Sequence, residues 1–350
     1  MSSSAAARRA ARNPRLALSG YPVLLPHFTF KDSNLHFGDL FMRTVEPDEV
    51  EFAWRCDGRT TFREIMSAQP SAAGRAATAP YLTWLSSPLG EAQENPEPAA
   101  GGTWLVLSPH PDDAELSLSG TIMGRASEVD FVNVICFSDL LYTQFSTSFP
   151  QAFDVNAIRR DEALLAGAAM GTRIEFLGIP ELAYRQNLTD EANFLDAERA
   201  TKDALKLRLF NLIRQHKPTA VFAPAGIGNH ADHRMVFDCV IEFVDDDVFP
   251  ETAFHLYEDY PYSASYQAVD DFLARFEYSY LDVSTKFEDI APVMARKMAV
   301  GDIHRSQFRR GIGDHVKRAA QRIAAIAAQG NPAKDAAAER YWSVGVMGIS

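Results

Sequence analysis

Cysteine is scarce in this sequence, and long apolar runs are absent. Three cysteines, Cys56, Cys136 and Cys239, are scattered over 350 residues, which excludes a disulfide framework and a CxxC metal knuckle. This usage fits a reducing compartment, and we expect a cytoplasmic protein. Because no stretch reaches the length of a bilayer-spanning helix, we also expect no membrane span.

Basic side chains are outnumbered by acidic ones. The sequence has 34 lysines and arginines against 46 aspartates and glutamates, which gives a net charge of −12. Nucleic-acid backbones bind through clusters of positive charge, so this balance argues against a nucleic-acid partner. A hydrophobic fraction of 47% and a charged fraction of 23% are ordinary for a folded globular protein.

The composition changes along a chain that is longer than one average domain. Residues 1–17 carry four arginines among small residues and predict a disordered basic tail. Residues 86–102 contain three prolines and three glycines, which is typical of a linker. We therefore predict a small domain over residues 18–85 and a large domain over residues 103–350.

The small domain has signals for both helices and strands. A proline and acidic residues at 46–49 predict the start of a helix, and Thr61 with Glu64 forms a capping-box pattern that opens another. Alternating apolar residues at 28–30 and 40–42 predict short strands. The result is a small α+β, winged-helix-like module. Its pattern resembles the PqqD-like domains that bind peptides, which implies a peptide or carrier-protein partner; the alternative is a packing or dimerisation appendage.

Strands and helices alternate in the large domain. Apolar segments predict strands over 103–107, 130–137, 173–177 and 219–223, and helical patterns lie between them over 113–127, 154–170 and 194–216. This alternation predicts an α/β, Rossmann-like fold, in which a mostly parallel sheet has helices on both faces. Ligands of such sheets bind at the carboxyl ends of the strands, so we expect the chemistry there.

Histidines and aspartates follow two of these predicted strands. The first turn contains His110, Asp112 and Asp113, and the second contains His230, Asp232 and His233. If both strands are parallel in one sheet, the two turns meet at its carboxyl edge. Together they predict a metal site.

Two imidazoles and one carboxylate are typical of a catalytic zinc site with an open coordination position, whereas structural zinc has four ligands and usually cysteine. His110 and Asp113 are spaced i, i+3, so both can point from one helical turn to one place. His230 and His233 have the same spacing. Asp112 faces another way and is left to act on water. The alternatives are a helix N-cap for the first turn and a chance HxxH pair for the second, and a Ser-His-Asp hydrolase is disfavoured because no GxSxG elbow occurs.

The segments LVLSPHPDDAELSLSGTI and NHADHRMV resemble the PIG-L/LmbE-like family of zinc-dependent N-deacetylases, which share a P/A-H-P-D-D turn and a later H-x-D-H turn. Residues 159–171 resemble the family's R-x-x-E helix, and residues 297–307 resemble its K…H-x-S-Q segment. The resemblance extends over residues 103–310. It implies Zn²⁺ as the cofactor, and Fe²⁺ is another divalent metal that such a site takes.

The resemblance also implies a role for each residue of the two turns. Asp112 would be the general base, and His230 would stabilise the oxyanion or protonate the leaving amine. Asp232 would orient a histidine from behind. The implied metal ligands are His110, Asp113 and His233.

Other residues are candidates for substrate contact. Arg159 would contact substrate hydroxyls, although an arginine on a helix is more often solvated. Tyr257 and Tyr260 follow a strand-like run and would form a stacking wall, with core packing as the alternative. His304 either lies near the site or hydrogen-bonds within the C-terminal segment. Its spacing of seven from Lys297 predicts a shared face of one helix.

The predicted function is metal-dependent hydrolysis of an N-acyl group from a small-molecule substrate. The group is acetyl in the leading hypothesis, the substrate is an amino sugar or an amino-sugar-like biosynthetic intermediate, and the products are acetate and a free amine. One alternative is hydrolysis of another C–N bond on a peptide- or carrier-linked natural-product intermediate. A second alternative is a non-catalytic peptide-recognition protein.

Overall fold

The computed structural model describes residues 21–24, 28–31, 34–37, 40–56, 60–68, 82–85, 100–141, 143, 152–189, 193–276, 279–308 and 311–346. The chain divides into two compact units. The first unit comprises Met1–Pro96, Thr143–Ala169 and Met298–Gly313, and the second comprises Glu97–Tyr142, Met170–Lys297 and Asp314–Ser350. The tail predicted at 1–17 and most of the predicted linker lie outside the described residues, and the domain boundaries stay predictions.

The amino-terminal part of the first unit contains short strands and two helices. Its elements are β1 (Tyr21–Leu24), β2 (Phe28–Lys31), β3 (Asn34–Phe37), β4 (Leu40–Thr44), α1 (Pro47–Trp54), α2 (Phe62–Ala68) and β5 (Leu82–Leu85). Strands β2, β3 and β4 form an antiparallel sheet, and β1 pairs with β5. The Thr61 N–H donates to Glu64 Oε2 at 2.9 Å and the Glu64 N–H donates to Thr61 Oγ1 at 3.3 Å, so the predicted capping box is present. The likeness to PqqD-like domains stays a prediction.

A seven-stranded sheet forms the centre of the second unit. Its strands are β6 (Thr103–Ser108), β7 (Asp130–Asp139), β8 (Arg173–Pro180), β9 (Ala220–Pro224), β10 (Ala253–Tyr257), β11 (Leu281–Asp289) and β12 (Ala338–Val346), in the order β11-β12-β10-β9-β6-β7-β8. The pairs from β10 to β8 are parallel, whereas β12 is antiparallel to both of its neighbours. The predicted α/β fold with a mostly parallel sheet is confirmed.

The remaining helices follow these strands. They are α3 (Asp113–Ser117), α4 (Ser119–Arg125), α5 (Ala152–Met170), α6 (Leu182–Leu188), α7 (Phe194–His216), α8 (Ala231–Asp245), α9 (Tyr266–Ala274), α10 (Met294–Gly301) and α11 (Gly313–Ala327). The helix predicted at 194–216 has these bounds, whereas the one predicted at 113–127 is broken at Leu118. Over the described ranges, no helix combines the length and the apolar character needed to cross a membrane.

Strand β6 lies between β9 and β7. From β6 the chain adds β7 and β8 on one side of the sheet, and later adds β9 and β10 on the other. The sheet therefore has a switch point between β6 and β9, where two parallel strands end at the same edge. Ligands of doubly wound sheets bind in the crevice at such a point. The two turns with the predicted chemistry leave from these two strands.

A single hydrophobic cluster holds this part of the sheet in place. Helices α7 and α8 contribute side chains spaced three or four residues apart, which pack on alternating residues of the strands. Burial of each such aliphatic side chain stabilises the fold by about 1.5–3 kcal/mol. The cluster includes Leu205, Leu209, Val236, Val240, Phe243, Leu105, Leu107, Val132, Val134 and Val221.

A buried ion pair joins β12 to the beginning of α4. Glu339 accepts hydrogen bonds from the backbone N–H groups of Gly120 and Thr121 at 2.8 and 2.7 Å, which are free donors at a helix start. It also accepts a hydrogen bond from the Lys297 ammonium. The same ammonium donates a second hydrogen bond to the Leu116 carbonyl oxygen at 2.8 Å. Burial lowers the pKa of Lys297, and the pairing with Glu339 opposes that shift. The contact anchors the turn that precedes α4.

Replacing Glu339 by alanine is expected to lower the free energy of unfolding by about 3–5 kcal/mol, because Lys297 would remain buried without a counter-ion. Chemical denaturation followed by circular dichroism measures the change. Adding Lys297→Met should recover much of the loss, since it removes the unpaired charge. A single-variant loss below about 1 kcal/mol would contradict this role, since that is the range of exposed pairs.

The expectation that Lys297 and His304 share one helix face was wrong. Helix α10 ends at Gly301, and the next residues form a turn. Glycine disfavours helix continuation. In addition, the Asp302 carboxylate accepts two backbone N–H groups at 312–313, both at 2.8 Å, which fixes this segment as a loop.

Candidate metal centre

The two turns lie side by side at the switch point of the sheet. His110 lies in the turn that follows β6, and Asp113 begins α3 directly after that turn. His230 is the N-cap residue of α8, and His233 lies in the first turn of that helix. The ring centroids of His110 and His233 are 5.4 Å apart. Local helix starts thus direct side chains from both turns toward one place.

Asp113 connects the two histidines. Its Oδ2 lies 3.3 Å from His110 Nδ1 and 3.3 Å from His233 Nε2. The same oxygen accepts the backbone N–H of His110 at 2.7 Å, which holds the carboxylate in this orientation. Candidate ligand atoms of the three residues lie within 4.8 Å of one another. The structure therefore brings together the three residues predicted to hold a metal.

Each of the two histidines also contacts a second carboxylate through its other ring nitrogen. His110 Nε2 lies 2.9 Å from Asp232 Oδ2, and His233 Nδ1 lies 2.7 Å from Asp259 Oδ1. Asp259 also accepts the Ile227 N–H at 3.2 Å. Carboxylates in this position fix the tautomer and the ring orientation of metal-binding histidines.

This donor set fits a divalent cation. His233 Nε2 is buried and has no hydrogen-bond partner among the described residues, although its other nitrogen is paired with Asp259. Buried polar atoms in proteins are nearly always satisfied, so an unpartnered nitrogen facing a carboxylate indicates a ligand. Two imidazole nitrogens and a carboxylate oxygen, without cysteine, match a catalytic metal site. The residues that would bind the ion are His110, Asp113 and His233.

A second group, His110 with His230 and Asp232, is less suitable for a cation. The Asp232 carboxylate is already engaged: Oδ2 accepts the Leu182 N–H at 3.0 Å, and Oδ1 lies 2.8 Å from Arg185 Nη1. A metal ion at this group would compete with all of these partners. The first group is therefore the better candidate for a cation.

The electrostatics of the centre favour positive charge. Burial opposes a charge on His110, but hydrogen bonds to Asp113 and Asp232 outweigh it and raise the pKa of His110 to about 10. Burial likewise opposes a charge on Asp113, yet His233 and His110 lower the pKa of its carboxyl. A cation bound here therefore competes with protons and releases them, as is general for metal binding to histidine.

His230 and Asp112 lie beside the candidate ligands. The His230 ring centroid is 5.1 Å from that of His110 and 5.4 Å from that of His233. Burial and the two neighbouring imidazoles lower the pKa of His230 to about 4. Its Nδ1 accepts the Asp232 N–H at 3.3 Å, which leaves the proton of the neutral ring on Nε2. Asp112 immediately precedes α3 and is 9% exposed.

The two predicted tyrosines differ in their surroundings. Tyr257 is the last residue of β10 and is fully buried, and its hydroxyl donates to the Leu107 carbonyl oxygen at 3.1 Å. This is the environment of a core residue. Tyr260 is half-buried, and its backbone N–H donates to Ser117 Oγ at 3.2 Å.

Arg159 and His304 belong to the first unit, and both are buried. In that unit Glu162 accepts the Ser306 N–H at 2.8 Å and also its hydroxyl. This contact ties α5 to the segment after α10. Roles for Arg159 and His304 in substrate binding stay predictions.

Three residues near the centre are additions to the predicted set: Asp259, Tyr262 and Arg185. Asp259 follows β10 at the same edge of the sheet, so the rule that located the two turns would also have located it. The Tyr262 ring lies 5.1 Å from the ring of His233 and 6.1 Å from that of His230. No pattern in the sequence marks Arg185.

Gly228 allows Tyr262 to approach the centre. Gly228 has φ of +82°, and a Cβ built on it would lie 2.6 Å from Tyr262 Cβ. Gly228→Ala is expected to destabilise the chain by at least about 1–2 kcal/mol, since an L-residue is disfavoured at positive φ and the ring must also move. The matched control is Gly124→Ala in α4, where the added Cβ meets nothing within 4 Å. If the two variants had the same denaturation midpoint, Gly228 would not be needed for the close approach of Tyr262.

The fold and the site define an α/β protein with a candidate catalytic metal centre at the switch point of its sheet. Residues 105–244 match the family model described as PIG-L, GlcNAc-PI de-N-acetylase. The segment that contains both turns therefore matches the PIG-L family model, and the resemblance predicted from those turns is confirmed. A relative, 2'-N-acetylparomamine deacetylase of Streptomyces fradiae, is 29% identical over 202 residues, which are 53% of this chain and 68% of the relative.

Solved structures share the fold. A deacetylase from the biosynthesis pathway of teicoplanin is 20% identical, with a TM-score of 0.54 over 71% of this chain and all of that one. GalB, the 4-carboxy-2-hydroxymuconate hydratase of Pseudomonas putida KT2440, is 16% identical, with a TM-score of 0.51 over 71% of this chain and 98% of that one. Since a hydratase has this fold too, the reaction must be argued from the site.

Proposed function

We propose that the protein is a metal-dependent N-deacetylase, which hydrolyses an N-acetyl amide on an amino sugar or an amino-sugar-like biosynthetic intermediate. The observation that carries the proposal is the meeting of His110, Asp113 and His233, with Asp112 and His230 beside them. Water and the amide are the reactants, and acetate and a free amine are the products.

The metal is a divalent ion, and we propose Zn²⁺, with Fe²⁺ as the alternative. When bound, such an ion polarises an amide carbonyl and lowers the pKa of water. On the protein side, Asp232 and Asp259 hold the imidazoles of His110 and His233 in position. Both carboxylates are buried, which makes these contacts strong and directional.

Asp112 is the proposed general base. It neighbours the candidate ligand Asp113, so its carboxylate can receive a proton from the attacking water as the C–O bond forms. When the C–N bond breaks, the same proton can pass to the departing nitrogen. The proton taken from water is thus returned to the amine, and the atoms balance.

His230 is the proposed oxyanion donor. Because its Nδ1 accepts the Asp232 N–H, its proton is on Nε2 and a neutral imidazole can donate to a developing negative charge. Of the two roles considered for His230, this geometry favours stabilisation of the oxyanion over delivery of a proton. Removal of one such donor lowers kcat by about 10²–10³-fold.

The substrate class rests on the PIG-L domain and on the amino-sugar deacetylase among the relatives. We propose an N-acetylated amino sugar of a biosynthetic pathway as the small-molecule substrate. We further propose a cytoplasmic location, which suits three buried cysteines that form no disulfide. A peptide or carrier partner for the amino-terminal part stays a prediction.

Purified protein loaded with Zn²⁺ should release acetate from at least one member of a panel of N-acetyl amino sugars that includes 2'-N-acetylparomamine. Mass spectrometry detects the loss of the acetyl group, and an acetate assay quantifies it. Addition of a chelator should stop the reaction, and restoring the metal should recover it. Protein that binds the metal but releases acetate from no member of the panel would count against the proposed substrate class.

A further inference from the structure

Arg185 on α6 is a buried cation behind the candidate centre. Only 4% of its surface is exposed. Its Nε and Nη2 donate to the two carboxylate oxygens of Glu198, and Nη1 donates to the Pro180 carbonyl oxygen at 2.8 Å. Nη1 also lies 2.8 Å from Asp232 Oδ1. Paired contacts of this kind fix a guanidinium in orientation as well as in place.

An aromatic ring restricts the guanidinium further. Arg185 Cζ lies 5.2 Å from the ring centroid of Phe137, a fully buried residue of β7. The imidazole centroid of His110 lies 6.3 Å from the same centroid. Arg185 and His110 therefore contact one rigid, packed ring, and interiors of this density transmit small displacements.

Asp232 links Arg185 to the candidate centre. Its side chain is fully buried. One carboxylate oxygen is paired with Arg185, and the other accepts the Leu182 N–H at 3.0 Å and faces His110 Nε2 at 2.9 Å. Both Leu182 and Arg185 belong to α6, so this short helix holds the carboxylate at two points.

The contact with Asp232 determines which nitrogen of His110 would be available to bind a cation. While Nε2 is engaged by Asp232, Nδ1 is directed to Asp113 Oδ2 at 3.3 Å. If the carboxylate turned away, the imidazole would lose the partner that sets both its tautomer and its ring angle. The ligand geometry would then be preserved only by His110's own packing.

We propose that Arg185, held by Glu198, is a positioning residue for the metal centre. It fixes Asp232, and Asp232 fixes the imidazole of His110 with Nδ1 toward the cation. The inference rests on the proposed function, because it takes the three assigned residues as metal ligands. The role of Arg185 is thus indirect, through Asp232 and His110.

The test uses full-length Arg185→Met, Arg185→Lys and Glu198→Gln, with three measurements on each. The first is the dissociation constant for Zn²⁺ by competition with a chromophoric chelator. The second is kcat and KM for acetate release, and the third is the thermal midpoint of the metal-free protein. The control is Arg125→Met, because Arg125 also donates through two nitrogens to a glutamate, Glu288, and lies over the ring of Trp104, at the opposite end of β6.

We expect Arg185→Met to raise the Zn²⁺ dissociation constant by about 10–100-fold, the usual cost of removing a group that supports a metal ligand. Arg185→Lys keeps the positive charge but loses the forked donors of the guanidinium, so its effect should be smaller. Glu198→Gln should also weaken Zn²⁺ binding. KM should stay unchanged while kcat falls. Arg125→Met should leave the Zn²⁺ constant unchanged, whatever it does to the thermal midpoint.

An unchanged Zn²⁺ constant in folded Arg185→Met would overturn the inference and leave the proposed function intact, since the wild type would still bind metal and release acetate. If Arg185→Met does not fold, unchanged constants in both Arg185→Lys and Glu198→Gln overturn it equally. A wild-type chain that binds no divalent metal overturns the proposed function, and the inference with it. Weakened Zn²⁺ binding at a preserved thermal midpoint supports it.

Discussion

Replacing Asp113 by asparagine is expected to strip the protein of divalent metal and to abolish amide hydrolysis. Asp113 Oδ2 is 3.3 Å from nitrogens of both His110 and His233, so it supplies the negative charge between them. Asparagine keeps an oxygen that can accept the His110 N–H, and the turn should therefore persist. Metal affinity should fall by more than the roughly 10–100-fold that loss of a supporting group costs. Elemental analysis of dialysed protein and an acetate assay measure the two effects.

The control for this substitution is Asp270→Asn on α9, an exposed aspartate outside the centre. It removes the same charge from the same chain and should leave metal content and acetate release at wild-type levels. A chelator applied to the wild type should reproduce the Asp113→Asn result. If Asp113→Asn retained full metal content, Asp113 would not be a ligand, and another donor set would have to be sought.

The positions of the two turns could be predicted because each follows a strand with a strong apolar pattern. Parallel strands end at a common edge, so the residues after β6 and β9 were expected at one edge of the sheet once the alternation of strands and helices was recognised. The order of the strands was not predictable in the same way. Nothing local specifies that β6 and β9 are neighbours, yet that pairing creates the switch point. Topology depends on packing across the whole sheet.

The residues that support the histidines were harder to foresee. Asp232 was proposed because it lies inside a motif, whereas Asp259 and Arg185 are isolated in the sequence. Both act on the centre through contacts that span long stretches of chain: Asp259 reaches His233, and Arg185 reaches Asp232. The strand-end rule would have located Asp259, but which residue it and Arg185 pair with is set by tertiary structure.

Two local predictions about where helices end did not hold. The break at Leu118 divides the helix predicted at 113–127, because the N–H groups that follow are taken by Glu339 from a distant strand. Likewise, the helix with Lys297 stops at Gly301. The contacts that break the first helix are remote in sequence, whereas the second ends at a glycine that is followed by the hydrogen bonds of Asp302 to residues 312–313.

Asp112→Asn is the substitution expected to separate catalysis from metal binding. Asp112 is the proposed base, and an amide in its place cannot accept the proton of the attacking water. We expect kcat to fall by about 10²–10⁴, the range over which general base catalysis contributes. The Zn²⁺ dissociation constant and KM should stay near wild-type values. Steady-state acetate release and chelator competition on the same preparation measure these quantities.

Asp112→Asn and Asp113→Asn form a matched pair, because both replace one oxygen of a carboxylate at adjacent positions of a single turn. Their effects should differ in kind: the first variant should keep its metal and lose turnover, and the second should lose both. Retained turnover in Asp112→Asn would remove Asp112 from the proposed role and point to another base. Loss of metal from Asp112→Asn would instead indicate that Asp112 is a metal ligand, and the proposed roles of the two aspartates would have to be exchanged.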